Sequence, residues 1–273
     1  MPRRYAICNE TFQDWTLDRA TAYAKAAGYT GWEVAPFMLA SGPRQFSKSQ
    51  RDDYRDTVVS AGLELVGLHW LLAKTEGFHL TTLDENVRRR TSDYFAELAE
   101  WCSDLGGDVM VLGSPGQRNL TEGQSMDQAM QNAAEVLAAV VPVLHQYGVR
   151  IALEPLGPAE GNFLNTAAEA RRLQSMIASP LIGLHLDVKA MSTEQVPIDQ
   201  VIRDNADWMI HFHANDPNLL GPGMGDVEFG PIFAALDQVG YEGWVSVEVF
   251  DYAPGVERLV TESMQNMIAA QTT

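Results

Sequence analysis

Ile151-Ala152-Leu153-Glu154-Pro155, Gly183-Leu184-His185-Leu186-Asp187, Ile210-His211-Phe212-His213 and Val245-Ser246-Val247-Glu248-Val249 follow one another in the second half of a 273-residue chain. Each is a short aliphatic run that ends on a carboxylate or an imidazole. Runs of this length, rich in Val, Ile and Leu, read as strands buried on both faces. Longer stretches of helical period separate them. Worked outward, the same alternation covers the chain. Strands are expected at residues 5–8, 31–34, 64–69, 108–112, 150–154, 182–187, 208–213 and 244–249. The intervening helices fall near 14–27, 48–61, 84–105, 125–147, 166–178, 197–205, 231–239 and 256–270.

Local chemistry supports the helices. Thr166-Ala167-Ala168-Glu169 and Ser125-Met126-Asp127-Gln128 have the capping-box form, in which a hydroxyl and a later carboxyl or amide satisfy orphan backbone donors. Met126, Met130, Ala133, Leu137, Val140 and Leu144 then recur at three- and four-residue steps and make one apolar face. Pro142 lies inside that run and is expected to kink or shorten the helix. Gly28, Gly62, Gly106, Gly148 and Gly240 each stand between a helix and a strand, where a C-terminal cap belongs.

Eight strand–helix units averaging about 34 residues match a (β/α)8 TIM barrel, α/β in class, with residues 1–273 as a single domain. A doubly wound open sheet is the structural alternative. It lacks support because no Gly-rich dinucleotide fingerprint follows the first strand. Gly221-Pro222-Gly223-Met224-Gly225 has the wrong spacing, and Pro222 removes an amide, so it reads as a tight loop.

With 36 acidic and 19 basic side chains, the net charge is −17, which opposes non-specific binding to nucleic acid. Apolar residues at 46% give a globular composition. Cys8 and Cys102 form neither a metal-type spacing nor a disulfide framework, so a reducing cytoplasm is expected. Arg3 and Arg4 have no apolar run behind them, so no signal peptide is expected. The longest near-continuous apolar stretch, residues 136–144, is too short to span a membrane. The expected partner is a small molecule, with no nucleic acid and no membrane.

In a barrel, chemistry collects at the C-terminal ends of the strands. Strand alternation sends Val245, Val247 and Val249 toward the helices and Ser246 and Glu248 inward; the same parity turns His185 with Asp187, and His211 with His213, inward. Glu154, Asp187, His213 and Glu248 therefore converge on one mouth. Three carboxylates packed together repel unless a cation sits among them. Three oxygen donors and one imidazole suit Mn²⁺, Mg²⁺ or Co²⁺; Zn²⁺ is less well matched because this set has no thiolate.

Glu154-Pro155-Leu156, His185-Leu186-Asp187, His211-Phe212-His213 and Glu248-Val249-Phe250 together resemble the xylose-isomerase-like TIM barrels. Among these the chain is similar to the sugar isomerase and epimerase branch that includes D-tagatose 3-epimerase, D-psicose epimerase and hydroxypyruvate isomerase. The resemblance runs along the whole chain and is strongest from residue 149 onward; Pro222–Asp226 with Phe229 also matches a turn found there. It implies one barrel, often a homo-oligomer, in which Glu154, Asp187, His213 and Glu248 bind a divalent metal and the two Glu act as base and acid. Glu160 matches a carboxylate near the substrate carbonyl. Such a site removes a proton α to a metal-bound carbonyl through an enediolate. Epimerisation, aldose–ketose isomerisation and elimination share that first step.

The match has gaps. Ala190 stands where the resemblance implies a substrate-binding His, and Leu219 where an Arg is common. Gly157-Pro158 replaces an Asn-Arg pair. The metal half of the site is present and the sugar-reading half differs, so the sugar or keto-polyol substrate stays open. Further strand-end candidates for substrate contact are His69, Trp70 as an apolar wall, Glu33, Lys189, and Arg118, which with Ser114 would hold a phosphate or carboxylate. Asn9-Glu10 is a weaker strand-end pair. His185 and His211 are expected to lie beneath the metal ligands, and His79 and His145 on the surface. Three alternatives remain in view. One is a dehydratase or lyase on a keto-sugar or keto-inositol, and another is a non-catalytic sugar- or metal-binding barrel. The third, a trinuclear-zinc apurinic-site nuclease, is disfavoured by Gly113-Ser114 at the fourth strand end and by the net charge of −17.

Overall fold

The structure, a computed structural model, describes residues 3–271. Its strands are β1 (Arg4–Cys8), β2 (Gly31–Val34), β3 (Glu64–Leu68), β4 (Val109–Leu112), β5 (Arg150–Leu153), β6 (Ile182–Asp187), β7 (Met209–Ala214) and β8 (Trp244–Val247). Each pairs in parallel with the next, and β8 returns to β1 through Tyr5 opposite Val245, so the sheet closes. Helices α1 (Leu17–Ala27), α2 (Lys48–Ser60), α3 (Glu85–Leu105), α4 (Met126–Tyr147) and α5 (Ala167–Ile177) follow the first five strands. A single turn, α6 (Val188–Met191), precedes α7 (Ile198–Asp204); α8 (Phe229–Gln238) and α9 (Val256–Gln271) complete the outer ring. Among the described residues, no helix is long and apolar enough to cross a membrane.

All eight strands lie where the aliphatic runs put them. The five cap glycines all have positive φ, from 67° at Gly148 and Gly240 to 110° at Gly28. The two expected capping boxes are half formed. Thr166 and Ser125 each accept the amide three residues on, but Glu169 turns to the amide of Asn165 and Gln128 to the side chain of Asn132. A complete box closes α2, where Ser47 and Gln50 bond reciprocally. Pro142 does not shorten the helix; α4 runs through to Tyr147. Pro142 and Ala138, whose carbonyl loses its partner, both face solvent, where water replaces the missing bond. The first helix starts at Leu17, not residue 14, because residues 9–12 form a separate 3-10 turn.

Two cores result. A large one lies between strands and helices and takes Val245, Val247 and Val249. A small one fills the barrel with Ala6, Val66, Val109, Val111, Ala152 and Trp244. Trp244 plugs the floor, with the Arg4 guanidinium 3.8 Å from its ring centre. A Cβ at Gly31 would lie 2.6 Å from the Trp244 ring, so only glycine leaves room for the plug. Strand register shifts at Trp32/Glu33 and at Leu184/His185. Both irregularities immediately precede an inward polar side chain, the use to which such bulges are put next to active sites. Trp244→Ala should lower unfolding free energy by about 3–5 kcal/mol, measured by denaturant titration.

Candidate active site

Glu154 follows the last residue of β5, Asp187 ends β6, His213 lies near the end of β7, and Glu248 follows β8. All four are buried, with Glu154 the most open at 7%. Each is held by neighbours. Asp187 accepts from the Ala190 amide at 2.8 Å and from the Asn215 side-chain amide at 2.5 Å. His213 bridges two carboxylates, its Nδ1 3.1 Å from Glu248 and its Nε2 3.1 Å from Glu33. The remaining oxygen of Glu248 accepts the indole N–H of Trp70. Trp70 has φ of 52°, a left-handed conformation that costs a bulky side chain energy and is found where function requires it. Gly113 leaves space for Glu154: a Cβ there would sit 2.0 Å from its Oε2.

The electrostatics are divided. Burial, then the charges of Glu248 and Asp187, pushes Glu154 up to about 8. Burial and Glu248 push Asp187 up to about 6. Burial acts on Glu248 as well, but the charge and hydrogen bond of His213 carry it below the usual carboxylate range. Glu33 is held well below that range by His211 and His213, against its own burial. His185 is driven the other way. Burial and the neighbouring imidazoles hold it neutral, and neither of its ring nitrogens has a hydrogen-bond partner.

These observations fit a divalent cation. Donor atoms of Glu154, His185, Asp187 and His213 lie within 4.8 Å of one another. Two carboxylates in that group are reluctant to ionise without a positive charge between them, and one imidazole has an uncommitted lone pair. A cavity of about 270 Å³ opens onto the group, and Glu154, Glu160, Glu248, Trp70, Leu156 and Phe250 are among its walls. Trp70 and Phe250 stack with ring centres 6.1 Å apart and give the cavity one flat aromatic side.

Several strand-end candidates take other places. Arg118 does not reach the cavity. It is 1% exposed, and its guanidinium donates to the main-chain carbonyls of Leu112, Glu154 and Leu164, so it ties the β4 and β5 ends together and is not an anion ligand. Glu33 is fully buried and braces His211 at 2.9 Å as well as His213, so it orients the imidazoles and does not contact substrate. His69 is fully buried too and bonds Glu10 at 3.0 Å. His211 sits against Glu33 as a supporting residue. His185 is nearer the ligand group than expected, with Nε2 3.8 Å from Glu154. Lys189 pairs with Glu160 at 2.7 Å and lies 4.6 Å above the Phe250 ring, beside the cavity. Ser114 lines the cavity and accepts the Leu72 amide. His145 is exposed as expected, whereas His79 is half-buried. The sequence reading missed Asn215 and Gly113. The signal for Asn215 was its position two residues beyond His213; Gly113 carried none.

Residues 21–270 match the family described as xylose isomerase-like TIM barrel. The chain belongs to that family. A probable ketose 3-epimerase of Synechocystis sp. is 26% identical over 231 residues, which cover 84% of this chain and 77% of that protein. A 3-dehydro-D-guloside 4-epimerase of Escherichia coli is 28% identical over 249 residues, covering 88% of this chain and 89% of its own. The crystal structure of D-psicose 3-epimerase with D-tagatose from Clostridium cellulolyticum superposes with a TM-score of 0.85 at 18% identity, over 98% of this chain and 99% of that one. At that identity the superposition speaks for the fold. The named relatives are epimerases, hence isomerases, and the chain is an enzyme of that class.

Cation binding and proton release should be coupled. A carboxyl with a pKa of about 8 is roughly nine-tenths protonated at pH 7, and a cation requires the carboxylate. Adding Mn²⁺ to metal-free protein at pH 7 should release about two protons, one from Glu154 and one from the imidazolium of His213, and fewer at pH 9.5, where Glu154 is already ionised. Calorimetry in buffers of different ionisation enthalpy reads this directly, and heats independent of buffer would contradict the assigned protonation.

Proposed function

We propose that this enzyme is a divalent-metal-dependent epimerase or isomerase of keto-sugars that removes a proton α to the substrate carbonyl. The observation that carries the reading is the pair Glu154 and Glu248 on one cavity, with the first biased toward its acid form and the second toward its carboxylate. Paired groups whose environments push their pKa values apart are the mark of an acid and a base set for one reaction. Asp187 and His213 complete a donor set with these two for the cation. Mn²⁺ fits it best, and Mg²⁺, Co²⁺ or Zn²⁺ are also compatible with oxygen and imidazole donors. When bound, the cation supplies positive charge where the substrate carbonyl oxygen becomes negative.

The side chains supply the rest. Glu248, with its carboxylate fixed by Trp70 and His213, takes the α proton. Glu154, ionised by the cation but still the more basic of the two carboxylates, takes a proton from water and delivers it to the resulting enediolate, and Glu248 returns its proton to water. When delivery occurs on the other face of the same carbon, the centre is inverted. The flat aromatic side of Trp70 and Phe250 packs against the sugar and excludes water from the carbanion. Glu160 and Lys189 lie where they can take the substrate's outer hydroxyls, in a pair that differs from the residues the family resemblance implies. The relatives named for 3- and 4-epimerisation place inversion next to a ketone in both cases, which this mechanism needs. The two buried free thiols, Cys8 and Cys102, suit a reducing cytoplasm.

In D₂O with Mn²⁺, a ketose or keto-glycoside substrate should gain deuterium at the carbon next to its carbonyl, read by mass spectrometry. Chelator should abolish this. Glu154→Gln and Glu248→Gln should each lower turnover by about 10²–10⁴-fold. Full activity in either variant would sink the two-carboxylate mechanism, and an ultraviolet-absorbing unsaturated product would instead identify a lyase.

A further inference from the structure

A second group of donors lies on the other side of the barrel mouth and takes no part in the chemistry above. Cys8 ends β1, Glu10 sits two residues on in the 3-10 turn Asn9–Phe12, and His69 follows β3. Their donor atoms lie within 4.8 Å of one another. Cys8 and His69 are fully buried and Glu10 is 2% exposed. We propose that Cys8, Glu10 and His69 form a second cation site, one for a thiophilic divalent ion such as Zn²⁺.

One unsatisfied atom points to a missing ligand. Glu10 Oε1 is buried without a hydrogen-bond partner, and His69 Nδ1, the ring nitrogen turned away from Glu10, is buried without one as well. The nearest charged atom to that ring nitrogen, Glu33 Oε1, is 3.6 Å away, too far for a hydrogen bond. A buried carboxylate oxygen left without a donor is costly, and native proteins seldom leave one so unless an ion or a water belongs there. The Cys8 thiol has one weak contact, Ser246 Oγ at 3.7 Å.

The spacing is also right. His69 Nε2 and Glu10 Oε2 are 3.0 Å apart. In a tetrahedral zinc centre with bonds of about 2.0–2.1 Å, neighbouring nitrogen and oxygen ligands stand about 3.3 Å apart. A cation can therefore replace the proton between them with little movement, with Glu10 Oε1 free to join as the second oxygen of the same carboxylate, provided Cys8 Sγ swings in; His69 Nδ1 keeps its N–H and faces Glu33. Binding changes no oxidation state. The Cys8 thiol proton and the proton shared by His69 and Glu10 leave to solvent, and three coordinate bonds form. Thiolate, imidazole and carboxylate with a water as fourth ligand is a zinc-type set. The Glu154 group has no sulfur. The two groups thus select cations by softness although they are neighbours: Cys8, Glu33 and His213 also come within 4.8 Å of one another. The consequence for the fold is a staple from β1 to β3 beside Trp70, whose indole holds Glu248.

Cobalt tests this on the whole protein. Metal-free enzyme should take up two Co²⁺ per chain and develop the near-ultraviolet sulfur-to-cobalt charge-transfer band of a thiolate ligand. Cys8→Ser should lose the band and one equivalent, while Cys102→Ser keeps both. Asp187→Ala should lose the other equivalent and keep the band. Co²⁺ bound by the unaltered enzyme without a thiolate band would overturn the second site, and that result needs no variant to fold. A band with a single equivalent would uphold this site and remove the one proposed around Asp187.

Discussion

Too many carboxylates share too little water at the mouth of this barrel, and the surrounding structure answers that crowding. Glu154, Asp187 and Glu248 are buried together, and two of the three are driven toward their neutral forms. The third stays ionised because His213 stands against it. His213 in turn is charged because Glu33 lies on its other face, pulling it well above its ordinary value despite burial. Glu33 is reached across the barrel from β2, nearly opposite in the strand order. The ring of strands is therefore what closes the electrostatic circuit; an open sheet would leave Glu33 at one edge and His213 far from it. Buried polar groups of this kind are stabilising only when each is satisfied. His185 and Glu10 are among those with unsatisfied atoms, and the proposed cations would sit beside them.

Support for the donors comes from the main chain as much as from side chains. Asp187 serves twice, as a cap for the turn α6 and as a candidate ligand, because its two oxygens are divided between the Ala190 amide and Asn215. Arg118 gives its donors to the carbonyls of Leu112 and Glu154 at the ends of adjacent strands and to that of Leu164 in the loop before α5. It spends a full positive charge on geometry, in a place where burial lowers it to about 10 and Glu154 is the first neighbour to raise it again. That fixes the backbone from which Glu154 projects.

The barrel and the four convergent donors were legible because strand alternation obeys a strict period of two, and each donor closes an aliphatic run. Pro142 does not shorten α4, because the effect of a proline depends on whether its lost carbonyl partner faces water, which the residue itself does not state. Arg118 depends on its surroundings in a similar way. A guanidinium after a strand reads as an anion ligand, but here the strand ends offer more unpaired carbonyls than amides can serve. Gly113 could not be found at all, since its role is the absence of a Cβ beside Glu154, and only three-dimensional proximity reveals that. Glu33 was legible as a strand-end carboxylate, but its partners His211 and His213 lie on another strand, at a separation that no local spacing encodes. The second donor group escaped for the same reason. Cys8 and Glu10 are near in sequence, but His69 joins them only when β1, β2 and β3 lie side by side.

Trp70 has one foot in the wall and one in the machinery. Its ring stacks with Phe250 on one side of the cavity, while its N–H holds Glu248. Any molecule that pushes the ring aside also releases the carboxylate, making it a differently placed and differently basic group. Under the proposed mechanism a poorly fitting sugar is penalised in turnover and not only in affinity, so discrimination is expressed at the proton-transfer step.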